Sequence, residues 1–288
     1  MRITDVALIS GLNLLLVSYS SGQGSLTPPG APAPTMKSLA QIDAGVTQVD
    51  GHVTQVDGHI TKIDSHITSA GEKRIPIGAA HTGGDNDNTF VIKQSGSYYL
   101  TANIKVTGAL NGISVQASDV TIDLNGFALV GPGQGASGGR AIAATGNDVR
   151  VRNGFIDGWP SDAIYLGAAA VLQDLDIQNC GGYGVHAGAQ AQIRHSRVGA
   201  VQQGITVGDS SVVDSCVVIA GATTNIVSGA NCLITHNVSN YATQSPGYGI
   251  YPGMYSVVRD NVCNRNKIGI FADGTGMRIE GNVAVQNS

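Results

Sequence analysis

Between Ile142 and Ile279 the chain repeats one phrase seven times: an aliphatic residue, a glycine three or four residues later, and a second large aliphatic five residues beyond that glycine. The first aliphatics are Ile142, Ile164, Val185, Ile205, Ile226, Ile250 and Ile270, spaced 22, 21, 20, 21, 24 and 20 residues apart. The glycines are Gly146, Gly167, Gly188, Gly208, Gly229, Gly253 and Gly274, and the second aliphatics are Val151, Leu172, Ile193, Val213, Ile234, Val258 and Ile279. A looser copy runs ahead of them through Ile113 and Ile122. A unit this short cannot enclose a core alone, so a period near 21 residues requires a solenoid in which each copy is covered by its neighbours.

Within each copy the runs are short, β-branched and alternating, as in Ile193-Arg194-His195, Val257-Val258-Arg259 and Met277-Arg278-Ile279. Alternation at period two turns the aliphatics inward and the charges outward on a strand. Leucine-rich, ankyrin or tetratricopeptide repeats would show fixed leucines or helix-length apolar stripes instead. Glycine, at 40 of 288 residues, is about twice its usual share of roughly 7%, and charged residues at 12% are about half theirs. Both suit a chain that turns every few residues and stacks on itself. The fold expected is all-β, a parallel solenoid of about eight coils of ~21 residues over 111–288, with 75–110 as its N-terminal cap and a short α-helical coiled coil ahead of it.

Ile234-Thr235-His236-Asn237-Val238, Val258-Arg259-Asp260-Asn261-Val262 and Ile279-Glu280-Gly281-Asn282-Val283 put asparagine at one register in three successive copies. Asparagine tolerates left-handed backbone and can hydrogen-bond a stacked neighbour, so this register marks a tight turn. Together with the openings Gly96-Ser97-Tyr98-Tyr99-Leu100-Thr101 and Val120-Thr121-Ile122-Asp123-Leu124-Asn125-Gly126-Phe127, the pattern resembles the right-handed parallel β-helices of the pectate-lyase-like superfamily, of the type found in secreted bacterial proteins. The resemblance covers about residues 87 to 288 and implies the fold; no catalytic motif carries over with it. The chain stops at Ser288, just before another first aliphatic would come, so a truncated solenoid with a poorly protected last coil is expected.

The front of the chain reads differently. Arg2, an apolar run from Val6 to Val17, and Ser18-Tyr19-Ser20 follow the pattern of a secretory signal peptide over residues 1–24, too short to span a membrane. A secreted or cell-surface location follows from it. Residues 25–38 form a proline-rich linker, with TPPGAPAP from Thr27 to Pro34. Leu39, Ile42, Val46, Val49, Val53, Val56, Ile60, Ile63 and Ile67 then alternate spacings of three and four, an a/d seam across residues 39–70. Valine and isoleucine at both positions favour trimers or higher states, so the partner expected here is the chain itself, as a homotrimer. His52, His59 and His66 fall at g and Asp50, Asp57 and Asp64 at e. Seven residues set the histidines about 10 Å apart along one helix, which suits solvated flanks pairing between chains better than metal ligands.

A formal net charge of −4 and the absence of any Lys/Arg run longer than two exclude a nucleic-acid partner. Cys180, Cys216, Cys232 and Cys263 fall in four different registers, Cys216 aligned with Asn237 and Cys263 with Ser239, so they are expected as free, buried thiols.

Outward columns carry the candidate chemistry. The residues following the first aliphatics are Ala143, Tyr165, His186, Thr206, Val227, Tyr251 and Phe271, which pairs Tyr165 with His186 and Tyr251 with Phe271. Exposed rings on a flat sheet can stack sugar rings; covered by loops they would be local core. The residues following the second aliphatics are Arg152, Gln173, Arg194, Asp214, Thr235, Arg259 and Glu280, and the next column is Asn153, Asp174, His195, Ser215, His236, Asp260 and Gly281. Together they put Arg194, His195, His236, Arg259 and Asp260 on one face within roughly 15 Å. A uronate lyase needs a cation for the sugar carboxylate and a base for the adjacent proton, roles open to Arg194 or Arg259 and to His195 or His236. A hydrolase needs two carboxylates about 5 to 10 Å apart, and Asp214 and Asp260 sit two coils apart in different columns. Interleaved Arg, Asp and Thr are also what any exposed parallel sheet uses to stay soluble. No metal site and no cofactor are expected, a Ca²⁺ ion being left open.

Two functions remain. In one, an extracellular β-helix protein interacts with polysaccharide, its enzymatic form being a lyase on acidic polysaccharide or, less favoured, a glycoside hydrolase. In the other, a non-catalytic trimeric surface, fibre or adhesin-type protein uses the solenoid as a shaft, an architecture shared with some phage tail fibres and adhesins. The scarcity of insertions, with only Gly131–Arg140 and Tyr241–Gly247 of any size, favours the second. The outward columns make carbohydrate interaction the preferred reading, with catalysis open.

Overall fold

The computed structural model describes residues 40, 43–44, 46–51, 53–58 and 74–288. They divide into two units, Met1–His66 and Ile67–Ser288. The expected signal peptide, the linker and the seam positions Leu39, Ile42, Ile60, Ile63 and Ile67 lie outside the described residues, as do His52, His59 and His66.

In the first unit the described residues are helical. Thr47 and Thr54 donate their hydroxyls to the carbonyls of Asp43 and Asp50, at 3.0 and 2.9 Å, one turn back. Val46, Val49, Val53 and Val56 are 53–60% exposed. A single chain thus shows the helix and its bare apolar stripe, not the coiled coil.

In the second unit, 23 strands join one continuous sheet, and every strand pairing within it is parallel. Complete coils contribute three strands. The first aliphatics stack in register from Ile142 to Ile270, extended at the front by Ile113 and Phe90. The second aliphatics stack from Val151 to Ile279, extended by Ile122, Tyr98 and Ile75. That column holds ten strands, so the expected count of about eight coils is corrected upward. Ile75–Pro76, Asn88–Ile92 and Gly96–Tyr99 are rungs of the solenoid itself, where a cap was expected. A third column runs through Ile104, Leu129, Ile156, Ile177, Val198, Val218, Ser239, Cys263 and Ala284. The aliphatic stacks from Ile113 to Val258 are fully buried, whereas Ile279 in the last coil is 45% exposed.

Most corners turn on one left-handed residue. Between first and second strands these are Asp119, Asp148, Ala169, Gln190, Ser210, Asn231, Tyr255 and Gly276, each three residues before a second aliphatic. Between second and third they are Asn125 with Gly126, then Asn153, Asp174, His195, Ser215, His236, Asp260 and Gly281. Between third and first they include Gly158, Asn179, Ala200, Tyr241, Arg265 and Gln286. The asparagine register needs a matching correction: the left-handed backbone belongs to the residue before each asparagine. Asn237, Asn261 and Asn282 instead pass a ladder from coil to coil. Cys216 N–H donates to Asn237 Oδ1 at 2.9 Å, Asn237 N–H to Asn261 Oδ1 at 2.9 Å, and Asn261 N–H to Asn282 Oδ1 at 3.0 Å. A second ladder, absent from the sequence reading, joins Ala242, Asn266 and Asn287 at the third corner.

The repeat glycines have ordinary φ; what they supply is room. A Cβ on Gly253 would lie 2.4 Å from the Gly229 backbone, one on Gly229 2.8 Å from Gly208, and one on Gly167 2.7 Å from the Gly146 carbonyl. At Gly146, Gly188, Gly208 and Gly253 the three nearest atoms are all backbone of the coil behind, so stacked coils meet there with no room for a side chain.

All four cysteines are free and buried, as expected from their staggered registers. Burial pushes the Cys180 and Cys263 thiols up to about 12 and that of Cys216 up to about 11.

Gly253→Ala should destabilise the protein by about 1–3 kcal/mol in denaturant unfolding, the usual range for forced overpacking. Gly135→Ala, where a Cβ meets nothing within 4 Å, should change stability by no more than about 1 kcal/mol. Equal effects at the two positions would remove close stacking as the reason for the glycine column.

Candidate carbohydrate-binding face

The ionic candidates stand where the registers put them. Arg152, Gln173, Arg194, Asp214, Thr235, Arg259 and Glu280 are successive partners along the second strands. His195, His236 and Asp260 occupy the following corner, at φ of 47°, 55° and 56°. Left-handed backbone selects short or polar residues, so a structural reason accounts for these residue types whatever else they do. His236 Nδ1 lies 3.2 Å from Asp214 Oδ1 and 3.1 Å from the Thr235 hydroxyl, while its Nε2 is 3.9 Å from Asp260 Oδ2. Ser215 donates to the same Asp214 oxygen at 3.1 Å. His236 therefore bridges carboxylates on the coils to either side, with one ring nitrogen already engaged. Arg194 and Arg259 are exposed and carry no ion pair among the described residues. Arg152, by contrast, pairs with the nearly buried Asp123 at 3.0 Å.

The aromatic candidates lie on a different face, outside the first strands, and the structure does not bring the two sets together. Here two clusters form. In one, the Tyr165 and His186 rings meet edge to face at 4.6 Å, and Tyr183 joins His186 at 5.0 Å. The Arg140 guanidinium covers Tyr165 at 4.4 Å and is itself fixed by Asp162, Nε to Oδ2 2.7 Å. In the other, Tyr248 stacks on Phe271 at 4.6 Å with an interplanar angle of 4°, and Tyr251 lies 5.4 Å from Tyr248 and 5.7 Å from Phe271. Tyr165 is 36% exposed and the other rings are half-buried, so they are neither loose surface nor closed core.

Tyr183, Tyr248, Arg140 and Asp162 were not among the residues expected from sequence. The signal was present as Tyr183-Gly184-Val185-His186 and Tyr248-Gly249-Ile250-Tyr251, a ring on either side of a glycine and an aliphatic. The glycine is again a matter of space: a Cβ on Gly249 would sit 2.4 Å from the Gly269 carbonyl, and one on Gly184 2.2 Å from Val198 Cγ1.

Both sizeable insertions fall at the corner between third and first strands. Gly131–Arg140 follows the strand Ala128–Val130 and ends at the arginine that covers Tyr165. Its Gln134 reaches along the corner to the carbonyls of Cys180 and Ala200, at 2.9 and 3.4 Å. Tyr241–Gly247 follows Val238–Asn240 and leads directly into Tyr248. Each aromatic cluster thus has an insertion along the same rim. Between the clusters the face is uncharged, with Gln203, Thr206, Thr224 and Val227 at the equivalent positions. His186 Nδ1 and the Thr206 hydroxyl oxygen, on adjacent coils in this column, are buried without a hydrogen-bond partner.

Burial holds the His186 imidazole below the usual histidine pKa; Asp162 opposes this and Arg140 adds to it. Between the folded and unfolded pKa values the unfolded chain binds more protons, so stability falls as pH drops through about 6.5. Wild type should therefore lose more unfolding free energy than His186→Gln between about pH 7.5 and 5.5. Parallel pH profiles for the two proteins would contradict the assignment.

Residues 88–239 match the family model described as right handed beta helix region. Among solved structures, the chain is similar to the A-module of the mannuronan C-5 epimerase AlgE4 of Azotobacter vinelandii, at 14% identity and a TM-score of 0.24, over 78% of this chain and 93% of that one. It is also similar to tailspike protein 2 of the Escherichia coli O157:H7 bacteriophage CAB120, at 12% identity and a TM-score of 0.19, over 70% of this chain and 38% of that one. No curated protein matches the sequence.

Proposed function

Because this chain belongs to the right-handed β-helix family and gathers half-buried rings on one sheet face beside both of its insertions, we propose that it binds polysaccharide along the outside of its first strands. The observation that carries this reading is the pair of aromatic clusters. Rings set in a flat sheet offer apolar faces to sugar rings, and the stretch between the clusters, Gln203, Thr206, Thr224 and Val227, carries no charge that would oppose them. Equivalent positions in successive coils are about 4.8 Å apart, so a ligand running along the solenoid axis would meet both clusters in turn. The leader-like residues 1–24 support export of such a protein to where polysaccharide is met.

Binding by the purified full chain is the test. Tyr183→Ala and Tyr251→Ala should each weaken binding several-fold to about tenfold, while Arg194→Ala and Arg259→Ala leave it unchanged. The opposite pattern would move the site to the second strands, where Arg194, His195, His236, Arg259 and Asp260 support a lyase acting on acidic polysaccharide. Absorbance of unsaturated products from the same incubations reads that activity directly.

A second reading, a trimeric fibre or adhesin-type protein, is favoured by the bare stripe of Val46, Val49, Val53 and Val56. It is compatible with the first, since a trimer would present three binding faces. Sedimentation of the full chain should give a trimer that Val49→Asp with Val53→Asp dissociates. A wild-type monomer at every concentration would dismiss this reading and leave the first untouched.

A further inference from the structure

Beside Tyr251, where the first strand turns towards the second, lies a hollow of about 410 Å³ lined among others by Asp209, Ser228, Tyr251, Pro252, Met254 and Asp273. It sits on the opposite rim of the aromatic face from the insertions. Pro252 and Met254 supply apolar surface and Tyr251 a ring. Its charged groups are both carboxylates. Asp273 Oδ2 takes the Tyr251 hydroxyl at 3.4 Å, and Asp209 spends one oxygen on the Ala230 N–H at 2.8 Å, leaving its other oxygen without a partner among the described residues. Ser228, also in the lining, donates its hydroxyl to the Gly229 carbonyl at 3.1 Å and accepts from the Gly253 N–H at 3.3 Å, so the carboxylates are the groups left for a ligand.

No cation lines this hollow. Of the basic groups bordering the aromatic face, Arg140 belongs to the other cluster and is taken up by Asp162. Lys267 precedes the first strand of its coil, at the end of that strand away from the hollow. The stretch between the clusters, Gln203, Thr206, Thr224 and Val227, has no charge at all. An acidic sugar would bring its carboxylate towards Asp209 and Asp273 with nothing there to neutralise it. A neutral sugar would bring hydroxyl donors, which form charge-assisted hydrogen bonds with carboxylates about twice as strong as neutral ones.

We propose that this hollow is a subsite for an uncharged, hydroxyl-rich pyranose, so that the polysaccharide held on this face is neutral and not a polyuronate. The inference rests on the reading of this face as polysaccharide-binding and sharpens it into a substrate class. It also turns the preference away from the acidic polymers to which Arg194 and Arg259 would point.

The test is calorimetric titration of the full chain with gluco-, manno- and galacto-oligosaccharides and with oligomers of mannuronate, guluronate and galacturonate. At least one neutral series should bind about tenfold or more tightly than any uronate, with little dependence on salt. Asp273→Asn and Asp209→Asn should each narrow that ratio several-fold, while far-ultraviolet circular dichroism and the unfolding midpoint confirm that each variant folds. Uronate binding equal to or tighter than neutral binding, abolished by Tyr251→Ala or Lys267→Ala, would overturn the inference and keep the aromatic face as the site. Neutral preference unchanged in both aspartate variants would overturn the role of the hollow. Failure of every oligosaccharide to bind would overturn the inference and the polysaccharide reading together.

Discussion

Backbone groups in this solenoid find their partners one coil up and one coil down, and that exchange requires neighbouring coils to approach along their whole perimeter. Along the column of repeat glycines the approach is close, with less than 3 Å between a would-be Cβ and the coil behind it. Everything else follows from holding that spacing. Inward positions become continuous stacks of Ile, Val and Leu, outward positions become columns at a fixed rise, and corners must turn within one or two residues. A left-handed residue at a corner is the cost of turning so sharply, roughly 1 kcal/mol or more for a residue other than glycine, met because the stack fixes it from both sides.

The same constraint explains the buried polarity. A corner that turns in one residue leaves N–H and carbonyl groups pointing along the axis beneath the surface. Asn237, Asn261 and Asn282 meet them at one corner, Ala242, Asn266 and Asn287 mark the line at another, and Ser211 and Ser256 serve a third through hydroxyls that accept from Ala191 and Cys232. Asn237 and Asn261 are fully buried, yet each amide nitrogen also donates to an inward carbonyl, to Val213 at 2.9 Å and Ile234 at 3.0 Å. These ladders are as much part of the stack as the aliphatics, because a buried group left unpaired costs about 1–3 kcal/mol.

Two of the three strand columns were legible in the sequence because each has an invariant inward aliphatic tied to a glycine at fixed distance. The third was not. Its inward residues drift from Ile156, Ile177, Val198 and Val218 to Ser239, Cys263 and Ala284, and it follows the second strand after a corner too short to read as a break. The earliest coils escaped for a similar reason, since Phe90, Tyr98 and Ile75 hold the core positions without the glycine phrase. At the surface, periodicity gave which residues stack on which but not what they do. His195, His236 and Asp260 have the chemistry of a site and the backbone of a corner, whereas Tyr183 and Tyr248 lie two residues ahead of the inward aliphatic, where simple alternation would not look for a partner of His186 or Tyr251.

The column between His186 and Tyr251 passes through Thr206 and Val227, so the clusters stand three rungs apart, roughly 14 Å at the rise of a parallel stack. Distance on this surface is therefore quantised. Adding or deleting one whole coil between the clusters would shift their separation by a single rung and leave the internal geometry of each intact. A solenoid of this kind can retune its reach along a polymer by changing length alone, as a ruler is recut without redrawing its marks.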